Sequence, residues 1–447
     1  MTTARTATPS TARAINDRLA LDLLLERGPL TASDLRTLTG LSRPTVADLL
    51  ERLQRSGLVA QAGESAALRR GPNARLYGLV ADRAHLAGID IRATGVSLVV
   101  ADLTGRTLGT ATIAAPPAST PAPTPVPSEA GGLGRPLTFA DGAADVAGAV
   151  GGGDGASMPT GAGAAVPAEG GAGDGDLLVE RTVEALLATA AAAGAKELHT
   201  VAVGAPGLVD PVSGALNNSG KLPEWHAKLL AALRARRGTE VILENEVNLA
   251  GIAEHRIGAA QDRKDFALIW LGHGVGASVV LDGRLRRGAS GGTGEIGFLP
   301  IPGTGGLPDA TRCDGGFHSL VSSAAICELG ARHGLEAEPD GSEPGAEAVV
   351  RLAVRGGADD FLEELAGRIA VGASSICVVL DPGCVVLGGE IGQAGGPELA
   401  ARVQRHLARL SPLATEVRAG TAGGGAVLAG AVLTAGDAVR RELFGGE

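Results

Sequence analysis

Within residues 43–55 the apolar positions fall at Val46, Leu49, Leu50 and Leu53, which is the spacing of one buried helical face. Ser42 stands where an N-cap belongs, and Pro44 is tolerated in the first turn. A shorter helix precedes it, started by Thr31 and Asp34 and broken by Gly40. Residues 14–27 (AINDRLALDLLLER) form a further amphipathic helix, and 58–60 and 76–80 are short strand candidates. The loop between those strands carries Arg69, Arg70 and Arg75. Three helices followed by a hairpin with a basic tip predict a winged helix-turn-helix over residues 1–80. The second helix of such a unit turns its amino end toward base edges in the major groove, which makes Ser42, Arg43 and Thr45 the candidate DNA contacts. Asp48 lies on the same side. A stiff basic wing suits phosphates or the minor groove, so Arg69, Arg70 and Arg75 are expected there.

Beyond residue 80 the pattern changes period. Runs at 85–91 and 96–102 and a third at 108–113 read as neighbouring strands, with a turn at Thr104-Gly105-Arg106. Residues 114–175 are rich in Pro, Ala and Gly, with almost no bulky apolar side chains, and are expected to be a disordered insertion. Pattern resumes with an Ala-rich helix at 177–194 and a strand at 198–203, so the segment interrupts a domain rather than ending one.

Charge separates the two parts. Residues 1–80 hold 11 Arg against 7 Asp and Glu, a balance of +4, so with a chain total of −10 the remainder carries −14. A basic head on an acidic body fits a protein that touches nucleic acid at one end only. The four cysteines, Cys313, Cys327, Cys377 and Cys384, read as free thiols of a reducing compartment, Cys377 and Cys384 in strand-like runs and Cys327 in a helical one. The amino terminus has no apolar signal region, and the apolar stretch 376–387 is broken by Asp381-Pro382-Gly383. No membrane span is expected, and the expected location is the cytoplasm.

The body carries a run of motifs: Gly204-Ala205-Pro206-Gly207, Leu222-Pro223-Glu224-Trp225, Glu244-Asn245-Glu246-Val247-Asn248, Gly272-His273-Gly274-Val275-Gly276, Gly294-Glu295-Ile296-Gly297 and Val386-Leu387-Gly388-Gly389. In order and spacing this resembles the ROK family of repressors, open reading frames and sugar kinases, over nearly all of residues 85–440. The resemblance implies an α/β, two-lobed actin-like fold (first lobe 85–260, second lobe and dimerisation region 261–447) that closes over a cleft and assembles as a homodimer or homotetramer. A winged helix ahead of this fold goes, in the family, with repressors.

Three departures bear on chemistry. A kinase of the family needs an Asp-x-Gly-Gly-Thr phosphate loop after the first strand, and this chain has Asp90-Ile91-Arg92-Ala93-Thr94, with side chains in place of glycines. The family's catalytic Asp after Asn is here Glu246 after Asn245, one methylene longer. The zinc pattern is reduced to Cys313 and His318, with Phe298 where the first His belongs, so no zinc and no other cofactor is expected. Counted forward from Cys313, His318 takes the place of the last zinc Cys; counted back from Ser322, it takes that of a sugar-binding Glu. The resemblance points to Asn245, Glu246, Glu295 and His318 as the effector site. The expected function is a DNA-binding regulator whose hold on an operator responds to a sugar or sugar phosphate. Two alternatives stay open: an ATP-dependent sugar kinase with a DNA-binding head, and a constitutive DNA-binding dimer with a vestigial pocket.

Overall fold

In the computed structural model, residues 9–64, 74–92, 95–115, 172–217, 224–236, 238–301, 307–309, 315–337 and 345–445 are described. Arg69, Arg70, Cys313 and the body of the insertion lie outside them.

The head is built by local signals. Helix α1 (Pro9–Arg27) leads into a short strand β1 (Leu30–Thr31) and α2 (Ala32–Thr39). The Asp34 amide donates to Thr31 Oγ1 at 3.1 Å and the Thr31 amide to Asp34 Oδ2 at 3.0 Å, a reciprocal capping box. Gly40 ends α2 in the left-handed region at φ 70°, where any Cβ would be strained. Ser42 caps α3 (Arg43–Arg55) by accepting from the Thr45 amide at 3.3 Å. Strands β2 (Val59–Glu64) and β3 (Arg75–Leu79) form the wing and pair antiparallel, with β1 on the far side of β3. Val46, Leu49, Leu50 and Leu53 of α3 are buried together with Ala20, Leu21 and Leu24 of α1 and Leu35 of α2. That cluster runs on through Ala84, Leu86 and Leu103 into the body, so head and first lobe share a continuous apolar core.

The body repeats one topology twice. In the first lobe β4 (His85–Arg92), β5 (Gly95–Asp102) and β6 (Thr107–Ala114) form an antiparallel meander. After α4 (Ala172–Ala192), β7 (Thr200–Ala205) pairs parallel with β4. The small hairpin β8 (Leu208–Val209) and β9 (Leu216–Asn217), then α5 (Glu224–Arg234), lead to β10 (Glu240–Asn245), parallel to β7, and then α6 (Glu246–Arg256). The second lobe repeats the sequence with β11 (Phe266–Leu271), β12 (Val275–Leu281) and β13 (Arg284–Arg286) as the meander. Helices α7 (His318–Val321), α8 (Ser323–Arg332), α9 (Gly345–Gly356) and α10 (Asp359–Leu380) precede β14 (Cys384–Gly388). Then come α11 (Gly389–Leu410), β15 (Glu416–Ala419) and α12 (Ala426–Leu443). Strands β14 and β15 are parallel to β11, so both sheets have the spatial order third, second, first, fourth, fifth. This is the two-lobed α/β body expected.

Three expectations need correcting. α12 does not belong to the second lobe: it crosses back and packs on α6, β4 and β7, where its Val427 and Ala431 fit against the bare Gly204 and Gly88 of the first sheet. Cys377 lies in helix α10, not in a strand, since the apolar run that holds it continues a helical face from Phe361; Cys384 is in β14, and both are buried. Asp48 is not left for DNA: Arg52 pairs with it and with Asp17 of α1, which ties α3 to α1.

Candidate functional site

Parallel strands of an α/β sheet expose their carboxyl ends at a crevice, where ligands bind. Here those ends belong to both lobes and face each other. β4 delivers Asp90 and Arg92, β10 delivers Asn245 and Glu246 at the start of α6, β11 ends at Gly272, and β14 delivers Glu390 at the start of α11.

Arg92 joins the lobes. Its Nε donates to Asp90 Oδ2 at 2.8 Å and its Nη1 to Glu390 Oε1 at 2.6 Å. The side chain expected to intrude on a phosphate loop is therefore engaged by two carboxylates, one from each lobe. Asp90 is buried, and burial raises its carboxyl above the usual range although Arg92 opposes the shift. A second bridge joins the lobes where Arg287 Nε donates to Glu244 Oε2 at 2.6 Å. Close packing adds a third contact: a Cβ on Gly291 (φ 79°) would stand 2.8 Å from the Val209 carbonyl carbon, so that loop lies on the first-lobe hairpin.

Glu246 is the least satisfied group. Its Oε2 is shut off from water and has no hydrogen-bond partner among the described residues. Burial pushes its carboxyl up to about 7, with repulsion from Asp90 and Glu295 adding to the shift and its own amide and Arg92 opposing it. Glu295 is open to water yet crowded by the cleft wall, which raises its carboxyl as well. Asp90, Glu246 and Glu295 thus share one electrostatic environment. Asn245 also shapes the start of α6. Its Oδ1 caps α6 by accepting from the Val247 and Asn248 amides at 2.8 and 3.2 Å, and its Nδ2 donates to the Gly207 carbonyl at 3.0 Å. One N–H is left for a ligand. His318 opens α7, half-buried, with its Cβ beside Gly297 in the turn that follows Glu295. Phe298 closes that turn and carries no ligating atom, so the residues present do not fit a structural zinc. Among the described residues no three His, Cys, Asp or Glu side chains converge as a metal site.

In the head, Ser42 and Arg43 are exposed at the amino end of α3, and Arg43 has no ion-pair partner among the described residues. Thr45 is half-buried, its hydroxyl 2.8 Å from Ser42 Oγ. Arg75 is exposed at the loop end of the wing strands, paired in register with Glu64. Reading the sequence missed Glu390, although it directly follows the quoted Gly388-Gly389. Its partner Arg92 is 298 residues away, and no local pattern announces that pairing.

Residues 176–437 match the ROK family, more than half of the chain. The chain belongs to the ROK family. Residues 15–71 match the MarR family. Across 208 residues this ROK protein is 26% identical to the DNA-binding transcriptional dual regulator NagC of Escherichia coli (strain K12), over 44% of this chain and 50% of NagC. The chain thus spans about half the length of the NagC relatives it matches. It is also 29% identical over 234 residues to a beta-glucoside kinase of Listeria monocytogenes, covering 52% of this chain and 77% of the kinase. Among solved structures, a ROK family transcriptional regulator homologous to the E. coli MLC protein superposes with a TM-score of 0.66 at 19% identity, over 97% of this chain and 100% of that one. A ROK family glucokinase from Streptomyces griseus gives a TM-score of 0.54 at 23% identity, over 79% and 99%. The first of these likenesses extends the shared fold through the head. Among the described residues no helix is long and apolar enough to cross a membrane.

Proposed function

We propose that this ROK protein is a DNA-binding transcriptional regulator, a repressor of carbohydrate-related genes, and not a kinase. It acts in the cytoplasm as a homodimer or homotetramer. A dimer sets two winged helices on a palindromic operator, with half-site spacing fixed by the dimer. A sugar held between the lobes favours one closure angle over another, and the different affinities for the two states move the heads out of register.

The observation that carries this reading is the pairing of a capped, exposed α3 amino end, with no ion-pair partner for Arg43 among the described residues, to a body whose cleft lacks the glycine loop of a kinase. The apolar core shared by head and first lobe supplies a route for coupling. NagC, related over part of the body, is by name a DNA-binding regulator. Against phosphoryl transfer stands Arg92, bonded across the cleft where nucleotide phosphates would need bare backbone. Glu246, at about 7, has the acidity of a usable general base, so an ATP-dependent kinase assay is the direct test of that alternative.

The deciding experiment is operator binding by the full chain, using DNA from upstream of its own gene, with a panel of sugars and sugar phosphates. Release by one sugar supports the regulator. Tight binding that no sugar alters establishes the constitutive alternative instead, and no binding at all removes the DNA-reading function. Arg43→Ala is expected to cost about 1–3 kcal/mol of discrimination at one base pair while leaving nonspecific DNA binding nearly unchanged. A titration series over single-base operator variants reads this out, and an unaltered specificity profile would take Arg43 out of the interface.

A further inference from the structure

The cleft carries an anion of its own. Glu390 sits in the first turn of α11, where unpaired amides and the helix dipole favour negative charge. A Cβ on Gly272 would stand 2.5 Å from Glu390 Oε2, so the carboxylate lies directly on the bare backbone of the turn that ends β11. Arg92 meets the same carboxylate from the opposite lobe at 2.6 Å. A helix amino end, the bare backbone of a glycine and an arginine together form a receptor for phosphate. In this chain all three converge on a glutamate.

We propose that Glu390 is a built-in substitute for phosphate, so that the interlobe cleft admits an uncharged, hydroxyl-rich ligand and excludes one that bears a phosphate. This rests on the reading of the cleft as the effector site and narrows its effector to an unphosphorylated compound. The remaining charges agree. The charged groups that act most strongly on Glu246 are Asp90, Glu295 and Arg92, and the guanidinium is already shared between Asp90 and Glu390. An incoming phosphate would meet carboxylates with no free cation among those groups. A sugar hydroxyl, by contrast, can donate to the partnerless Oε2 of Glu246.

Inorganic phosphate is the probe. The melting temperature of the full chain is measured in phosphate and in chloride at matched ionic strength, for the wild type, Glu390→Gln and Glu390→Ala. The wild type is expected to show no phosphate-specific stabilisation. Both variants, relieved of the internal charge, are expected to gain roughly 2–4 °C at phosphate about a hundredfold above its Kd. Adding Arg92→Ala to Glu390→Gln is expected to remove that gain. Phosphate-specific stabilisation of the wild type overturns the proposal, and so do folded variants that gain nothing. Glu390→Gln preserves shape and carries the test if Glu390→Ala does not fold. Operator binding assayed in parallel separates the two claims. A failed phosphate test with operator binding intact strikes only the ligand class, and lost operator binding strikes the regulator reading itself.

Discussion

Gly430→Ala is expected to destabilise the body by about 3 kcal/mol or more, although alanine is the better helix former. Gly430 lies in α12 where that helix crosses α6. A methyl group there would stand 2.5 Å from the Leu249 carbonyl carbon and 2.9 Å from its Cα, and closer still to the oxygen. The obstacle is backbone, so no rotamer change relieves it; one helix must move. α6 has nowhere to go, because on another face the bare Gly251 lies against β12, where a Cβ would be 2.7 Å from Ser278 Cβ. α6 is therefore held between α12 and the second-lobe sheet, and it begins with Asn245 and Glu246. Displacing it shifts the cap on Gly207 and the Glu246 carboxylate of the cleft. Urea unfolding of the full chain measures the loss. Gly356→Ala, at the end of α9 with nothing within 4 Å of the new methyl, is the control and should be neutral or slightly stabilising. Equal midpoints for the two variants would refute the close-approach account.

The head was legible in the sequence because everything that makes it is local. Thr31, Asp34, Gly40, Ser42 and Pro44 act within four residues of the bonds they form, and the apolar period of α3 points its face without help from distant contacts. The strands of the first meander were legible for the same reason. What escaped is nonlocal or ambiguous in period. Nothing about residues 426–443 says that they return to the first lobe; that follows from which groove their small residues fit. Residues 376–387 are apolar throughout, so period alone cannot tell helix from strand, and Cys377 went to the wrong one. Asp48 read as free because its partner Arg52 is itself directed by Asp17 on another helix. The cleft shows both kinds of signal. Asp90, Arg92, Asn245, Glu246 and Glu295 are conspicuous as residues that depart from or keep a family pattern, whereas Glu390 acquires its meaning only when the lobes meet.

Acidification is expected to weaken the first lobe through His226. This residue lies on α5, 3% exposed, with neither ring nitrogen hydrogen-bonded among the described residues and its ring edge-on to Trp225 at 4.1 Å between centroids. Burial lowers it from 6.5 to about 4. Between those values the unfolded chain binds a proton that the folded one rejects, so stability is complete above pH 6.5 and falls as pH drops toward 4. The loss then levels off at roughly 3 kcal/mol, the free-energy equivalent of that shift. Glu246 works in the opposite sense. Its folded carboxyl holds a proton up to about 7, against 4.5 for an ordinary glutamate, so its contribution is present below 4.5 and is lost as pH rises through 7. The two partly cancel across the same window, and the pH profile of the wild type alone isolates neither. His226→Leu removes only the first. At pH 7.5 it should be neutral or mildly stabilising, since two unsatisfied buried nitrogens disappear. At pH 5 its advantage over the wild type should grow by about 2 kcal/mol, read as the difference in urea midpoints. Parallel profiles for the two proteins would mean that His226 finds a proton acceptor in solution and is not held neutral by burial.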